Sequence, residues 1–323
     1  MKYILGIDTS CYTTSVAGVD LNGEILFNHQ KLLEVPRGHR GLQQSVALFH
    51  HLSNLSTITK SLRESLLCGY IAAVCASVRP RPLKDSYMPV FQFSHHIGQA
   101  ISDLFRVPFY PVSHQENHIM AGLYKTNGLN SRCFLAIHLS GGTSELLYVK
   151  PISSGFEVEL IGNSLDIPAG QFIDRIGVAM GLPFPAGPHL EKLAVFGTGA
   201  LTLSGSVKGT AISFSGPESQ GQRLIQENAP HTEIAYAVYD LIIRSISKWI
   251  LNAVKMGYPN EVLLVGGVSS SSIFRRGLQE RLKKRNRNIQ LYFALPELSK
   301  DNAVGTALLG LQAFEQENIE RKK

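Results

Sequence analysis

The chain has 323 residues, 44% of them hydrophobic and 17% charged, which is enough to fill two packed domains. Its formal charge of +6 favours a polyanionic partner without naming one. No uninterrupted apolar stretch approaches the roughly eighteen residues of a membrane span, and MKYILGIDTS has neither the basic start nor the long apolar run of a secretion signal, so the cytoplasm is the expected compartment.

In chain order, Tyr3 to Ile7 reads as an apolar strand, Thr9 to Ser15 as a Thr/Ser-rich turn, Val16 to Val19 as a second strand, and Asn22-Gly23 as the turn into a third. An apolar run from Val107 to Val112 leads into SHQENHIMAG, where the four-residue spacing puts His114 and His118 on one face of a helix. Such a pair is half of a metal site, or else a solvated pair on a surface helix, and spacing alone does not choose. Glu116 lies roughly 200° around that helix from His114, too far to act on a metal-bound water as a zincin glutamate does. The four cysteines, Cys11, Cys68, Cys75 and Cys133, form no CxxC pair, so neither a disulfide framework nor a thiolate zinc site is expected and the thiols should be reduced and mostly buried.

The opening pattern returns after the polar segment Lys125 to Arg132. Phe134 to Leu139 is a strand, Ser140-Gly141-Gly142-Thr143-Ser144 a small-residue bend, and Leu146 to Val149 a returning strand. A third Gly/Ser bend, Gly266 to Ser271, follows the strand Glu261 to Val265 and leads into a helix. Backbone N–H groups in such bends can face phosphate oxygens. Duplicated hairpins with three glycine bends in this order describe the actin-like ATPase fold of sugar kinases and heat-shock ATPases: two α/β domains, residues 1–128 and 129–303, clasping a nucleotide, with the helix after Asp301 (304–323) crossing back to the first. Pro151 to Gly155 and Phe196 to Gly209 read as loops. Arg275, Arg276, Arg281, Lys283, Lys284, Arg285 and Arg287 form a basic cluster that could meet a phosphate backbone or simply face solvent.

The motif series resembles one family of that fold, the catalytic subunit that builds threonylcarbamoyladenosine in transfer RNA, formerly labelled O-sialoglycoprotein endopeptidase. IDTSCYTTS is similar to its first phosphate loop, SHQENH to its histidine motif and LSGGTSELL to its second glycine loop. DIPAGQFIDRIGVAMGLPFPAGP is similar to its central signature, ISFSGPES to its FSFSG segment, VGGVSSSS to its AGGV element and SKDNAVGTA to its TDNA element. The resemblance implies one divalent metal, iron or zinc, on His114, His118 and Asp301. It implies an adenine nucleotide or threonylcarbamoyl-adenylate against Leu139, Ser140, Gly141, Gly142, Thr143, Asp174, Gly187 and Ser271, with Asp174 accepting the ribose hydroxyls. It also implies a tRNA substrate and helper subunits, one of them as a heterodimer partner. The old protease label and a sugar-kinase reading are both disfavoured, the first by Glu116 and the second by the lack of an evident catalytic aspartate in the central signature.

The chain departs from the family at polar positions. Tyr12 and Thr13 replace an acidic pair, Thr143 a histidine, Gln171 a glutamate and Ser271 an asparagine, and RPRPLKDSYMPV with Arg79, Arg81 and Lys84 replaces a glycine-rich segment. Loss of an acid that orients a nucleophile costs about a hundred- to ten-thousandfold in rate. No catalytic acid or base is therefore assigned, and a catalytically degenerate paralog that binds metal and nucleotide as a scaffold is the alternative.

Overall fold

The computed structural model describes residues 1–10, 12–35, 42–66, 69–83, 85–126, 128–129 and 132–321. Cys11, Cys68 and Lys84, together with part of the 125–132 segment, lie outside the described residues. The first half contains β1 (Lys2–Thr9), β2 (Thr13–Asp20), β3 (Ile25–Leu32), α1 (Gln44–Ser53), α2 (Leu55–Leu66), β4 (Tyr70–Arg79), α3 (Phe91–Phe105), β5 (Phe109–Ser113) and α4 (His114–Leu123). The second half contains β6 (Phe134–Leu139), β7 (Ser144–Ile152), β8 (Gly155–Ser164), α5 (Ala169–Ala179), α6 (Gly187–Ala194), β9 (Ser206–Lys208), β10 (Ala211–Ser213), α7 (Ser215–Gln226), α8 (His231–Lys255), β11 (Glu261–Val265), α9 (Ser272–Arg285), β12 (Gln290–Phe293) and α10 (Val304–Glu320).

The two sheets repeat one topology. The five-stranded sheet runs β3-β2-β1-β4-β5 and the seven-stranded sheet contains the matching run β8-β7-β6-β11-β12, extended at its other edge by β10 and β9. In each, the first three strands form an antiparallel meander and the last two join in parallel. Sequence boundaries err where polar residues are recruited into the ladder. β1 extends through Thr9 and β2 starts at Thr13, because the buried Thr14 and Ser15 pair with Thr9 and Asp8. Pro151 to Gly155 is the tight turn of the β7–β8 hairpin, with Ile152 and Gly155 still paired, and the 196–209 segment contains the edge strand β9.

Period-two alternation sends Tyr3, Leu5 and Ile7 into one apolar cluster and Ile4 into another beneath α10. A separate cluster joins the sheets: Phe134, Ala136, Leu263 and Val265 of the second pack with Cys75 and Val112 of the first around Ile119 of α4 and Leu309 of α10. α4 and α10 are locked to each other. Asn117 Nδ2 donates to Asn302 O at 2.6 Å, Thr306 N donates to Asn117 Oδ1 at 2.8 Å, and a Cβ on Gly305 would stand 2.0 Å from Asn117 O. Of the cysteines described, Cys75 is fully buried, with its thiol pKa pushed well up by burial, and Cys133 is partly exposed. No described helix is long and apolar enough to cross a membrane.

Gly305→Ala forces a methyl group into backbone rather than into a yielding side chain. The expected cost is at least about 2 kcal/mol, read as a lower urea midpoint; an unchanged midpoint would show that the α4–α10 contact yields to a methyl group.

Candidate metal centre and nucleotide cleft

SHQE at the start of α4 is a capping box. The Ser113 hydroxyl accepts from Glu116 N at 3.2 Å while Glu116 Oε2 accepts from Ser113 N at 2.9 Å. Glu116 is thus turned back on the N-cap and away from the histidine face. The helix start in turn fixes where the imidazoles point. His118 Nε2 lies 3.1 Å from His114 Nε2 and 3.2 Å from Asp301 Oδ1, and His114 Nε2 lies 3.7 Å from the same oxygen.

These spacings are those of ligand atoms around a small cation. Atoms about 2.0–2.2 Å from one tetrahedral ion stand roughly 3.3–3.6 Å apart. One ligand atom from each of the three residues lies within 4.8 Å of the others, the single such group among the described residues. The chemistry fits as well. Asp8 Oδ1 is 2.8 Å from His114 Nδ1, an acceptor that would keep a ring proton on that side when Nε2 gives up its own to bind a cation. Asp301 is steadied by the Ser10 hydroxyl, which donates to Oδ2 at 2.5 Å. Burial alone would depress the His114 pKa, but the Asp8 charge and hydrogen bond and the Asp301 charge outweigh it and raise it to about 9. Burial would raise Asp301, yet the hydrogen bond from His118 and both imidazoles hold it well below the ordinary carboxylate range.

Two residues of this centre are absent from the motif reading. Asp8 is one. The other is His138, 3% exposed, whose ring centroid lies 4.3 Å from that of His118. Its Nε2, like His118 Nδ1, is buried without a hydrogen-bond partner among the described residues. Burial, then the neighbouring His118 and His114, push its pKa well down, so it is neutral at pH 7. Asp8 and His138 occupy the same place in the repeated hairpins: Asp8 pairs with Ser15 and His138 with Glu145, each one step before the strand ends at Thr9 or Leu139. A lone polar residue on the inward-facing phase of an apolar strand is the sequence signal that could have found both.

The nucleotide candidates gather at the ends of β6 and β11. Leu139 is the buried last residue of β6. The Ser140–Thr143 bend closes on itself through Ser140 N donating to Thr143 O at 2.8 Å and Thr143 N to Ser140 Oγ at 3.0 Å. α5 begins against that bend, with Gly170 N donating to Ser140 O. Gly142 and Gly267 have no heavy atom near the place of a Cβ, so both glycine bends look onto open space. Gly266 takes φ +92, and a Cβ there would meet Leu139 O at 2.3 Å, so only glycine brings this bend against β6.

Asp174, one turn into α5, faces the start of α6. Its Oδ1 accepts from Ala186 N at 2.7 Å at the start of α6, and Oδ2 is the nearest atom to Gly141, 3.9 Å from its Cβ position. Burial raises its pKa from 3.8 to about 6 against the pull of the Ala186 and Gly187 amides. Gly187 O accepts from the Tyr239 hydroxyl at 3.1 Å, and Tyr239 also touches Ser271. Asp174, Gly187 and Ser271 are therefore neighbours, although the Ser271 hydroxyl is engaged as the α9 cap, accepting from Phe274 N at 3.2 Å.

Elsewhere the departures acquire places. The Tyr12 ring packs 5.7 Å from Phe184, which follows α5, and the buried Thr13 opens β2 with its N–H on Ser10 Oγ. Gln171 is half-buried in the first turn of α5. Arg81 pairs with the buried Glu145, which also accepts from Gln115 Nε2 at 2.6 Å, so its charge is already engaged. Arg275 must likewise be struck from the basic cluster. Its guanidinium donates to Ser269 O, Ala294 O and Ser299 Oγ and lies over Phe293.

Two outcomes test the site. Asp8→Asn removes the charge that sets the His114 tautomer and should weaken zinc binding about 10- to 100-fold in a chelator competition; unchanged affinity would reduce Asp8 to a packing residue. The raised Asp174 pKa means that its native state favours the protonated carboxyl. Its stability contribution is present below pH 3.8 and lost as pH rises through about 6. Asp174→Asn should then raise the melting temperature at pH 8, with the gain shrinking toward pH 4, while adenine-nucleotide affinity drops about tenfold or more; a loss of stability with affinity intact would make Asp174 only a cap for α6.

Solved structures of similar shape support the fold. The activator of the 2-hydroxyisocaproyl-CoA dehydratase from Clostridium difficile with bound ADPNP superposes with a TM-score of 0.57 at 15% identity, covering 98% of this chain and 97% of that one. HypF from T. kodakarensis gives 0.61 at 14% identity, covering 98% and 48%. A ROK family glucokinase from Streptomyces griseus in complex with glucose and AMPPNP gives 0.53 at 12%, covering 95% and 98%. At these identities the likeness speaks for the actin-like ATPase fold alone. The sequence pattern of the TsaD family, tRNA N6-adenosine threonylcarbamoyltransferase, matches residues 93–308, from α3 through the histidine motif and both glycine bends into α10. With more than half its length matched, and the motif series of that family in order, the chain belongs to the TsaD family of tRNA N6-adenosine threonylcarbamoyltransferases.

Proposed function

We propose that this protein is itself a working transferase. It moves the threonylcarbamoyl group from threonylcarbamoyl-adenylate to the N6 amine of the adenosine next to the anticodon in tRNA, using one divalent metal. The observation that carries the reading is the meeting of His114, His118 and Asp301 within 4.8 Å at one place. Two imidazole nitrogens and a carboxylate suit zinc or iron and leave positions open for substrate oxygens. When bound, the metal supplies Lewis-acid polarisation of the carbamoyl carbonyl.

The chain's own residues have separate tasks. His114, His118 and Asp301 hold the metal, and Asp8 and Ser10 keep His114 and Asp301 aimed. The amides of Gly141 and Gly267, in bends that face open space, receive the adenylate phosphate, and Asp174, ionised above pH 6, accepts from the ribose hydroxyls. Held so, the carbamoyl carbon is presented to the N6 nitrogen. A C–N bond forms, the bond from that carbon to the phosphate oxygen breaks, AMP departs with the electron pair, and one N6 proton is released to solvent. Positioning and charge stabilisation then carry the rate, which is why the absent acids at Tyr12 and Thr13 need not abolish it. Helper subunits, one of them as a heterodimer partner, act with the chain in this reading.

A degenerate paralog is the second reading, favoured by the contact of Tyr12 with Phe184, which fills with an aromatic ring a place where the family carries a carboxylate. The experiment is to incubate zinc- or iron-loaded protein and a helper subunit with preformed threonylcarbamoyl-adenylate and unmodified tRNA, and to look for modified adenosine by mass spectrometry. Product lost in His114→Ala establishes the transferase, whereas tight adenylate binding without product establishes the scaffold. A sharp gain from Tyr12→Asp with Thr13→Glu would mean that the site is intact but impaired at those positions.

A further inference from the structure

A second site lies away from this centre, between α8 and α9. A pocket of about 290 Å³ is lined by Arg244 and Lys248 of α8 and by Arg281 and Arg285 of α9. Each pair is spaced by four residues, so each helix turns both of its cations to the seam where the two helices pack. Arg244 is partly occupied: its Nε is 2.6 Å from Asp240 Oδ2 and its Nη2 donates to Leu203 O at 2.8 Å. Lys248, Arg281 and Arg285 have no ion-pair partner among the described residues. Burial, then the charges of Arg285 and Arg244, pull the Arg281 pKa down, with Asp240 offsetting only part of this. Ser247 also lines the pocket. It is 1% exposed, and its hydroxyl is buried without a hydrogen-bond partner among the described residues.

Converging like charges cost free energy unless an anion joins them, and a buried hydroxyl without a partner costs more. Three guanidinium groups, an ammonium and a hydroxyl around one space exceed what a carboxylate can use and match the several oxygens of a phosphate. We propose that this pocket is a phosphate-binding site that holds backbone phosphates of the RNA substrate, a reading that rests on the transferase function above. Position favours a polymer as the source. Arg281 and Arg285 stand nine and thirteen residues along α9 from its start at the cleft, about 14 and 20 Å. A mononucleotide seated at the glycine bends does not span that distance, whereas an RNA stem delivering an adenosine to the cleft carries phosphates along it. Of the other cations of this segment, the exposed Lys284 lies nearest to that face of α9, whereas the exposed Arg276 and Lys283 lie on the opposite side.

The test compares the full chain with Lys248→Glu/Arg285→Glu, two exposed side chains whose replacement should leave the urea midpoint unchanged; Lys248→Gln/Arg285→Gln serves if the charge reversal misfolds. Unmodified tRNA binding is measured over a range of salt concentrations, and inorganic phosphate is titrated separately by calorimetry. Weaker tRNA binding, with a salt slope shallower by about 2, is the expected result. Equal tRNA binding by both proteins overturns the proposal and leaves the transferase reading standing. Equal tRNA binding with inorganic phosphate held only by the unaltered protein overturns RNA as the source while retaining a phosphate site. If neither protein binds tRNA, the transferase reading itself fails, and the phosphate titration alone decides the pocket: a heat signal lost in the variant supports the site, and none in either protein removes it.

Discussion

The placement of α4 is the constraint on which the candidate centre depends. The helix touches β4 and β5 of one sheet and β11 of the other, and it presents His114 and His118 from its first turns. Its capping box fixes where it starts, so it also fixes which way both rings face. Neither ring would meet Asp301 without α10, whose Gly305 lets its backbone rest against Asn117 and so brings the segment before it to the histidines. The three candidate ligand residues come from two distant stretches joined by backbone contact, and their mutual distances inherit the rigidity of that contact.

Duplication shapes the environment of this centre. Two equivalent hairpins end near α4, one delivering an aspartate and the other a histidine from the same strand position. Asp8 takes the outer nitrogen of His114, while His138 lies against His118 and keeps an uncommitted nitrogen. The repeat supplies matching geometry, and the residue at each equivalent place gives that geometry a different chemistry. The nucleotide candidates follow the same logic, since the bend after β6 and the bend after β11 are neighbours only because those strands pair in parallel.

Much of this was legible in the sequence. The histidine spacing gave one helix face, the apolar runs gave β6 and β11 to the residue, and glycine pairs marked the bends that face open space. Polar residues drawn into β1 and β2 blurred the first turn, because Thr and Ser pair in a ladder as readily as they form a loop when their hydroxyls find partners such as His51 and the Asp8 carbonyl. The partners of the basic residues were hidden for a related reason. Charge alone does not tell a free cation from one already spent, and Arg81 on Glu145 and Arg275 on three oxygens are spent.

The sequence by itself determined the kind of elements, their order and the motif series of the family, because hydrophobic period, turn chemistry and residue spacing are local properties of a chain. Only the tertiary structure decided that Asp8 and His138 flank the histidines, that Asp174 turns toward α6 rather than toward solvent, and that Arg244, Lys248, Arg281 and Arg285 share one pocket. Those relations are set by strand register and helix packing between residues far apart in the chain, and no local pattern encodes which of two faces, or which of many partners, a buried side chain will meet.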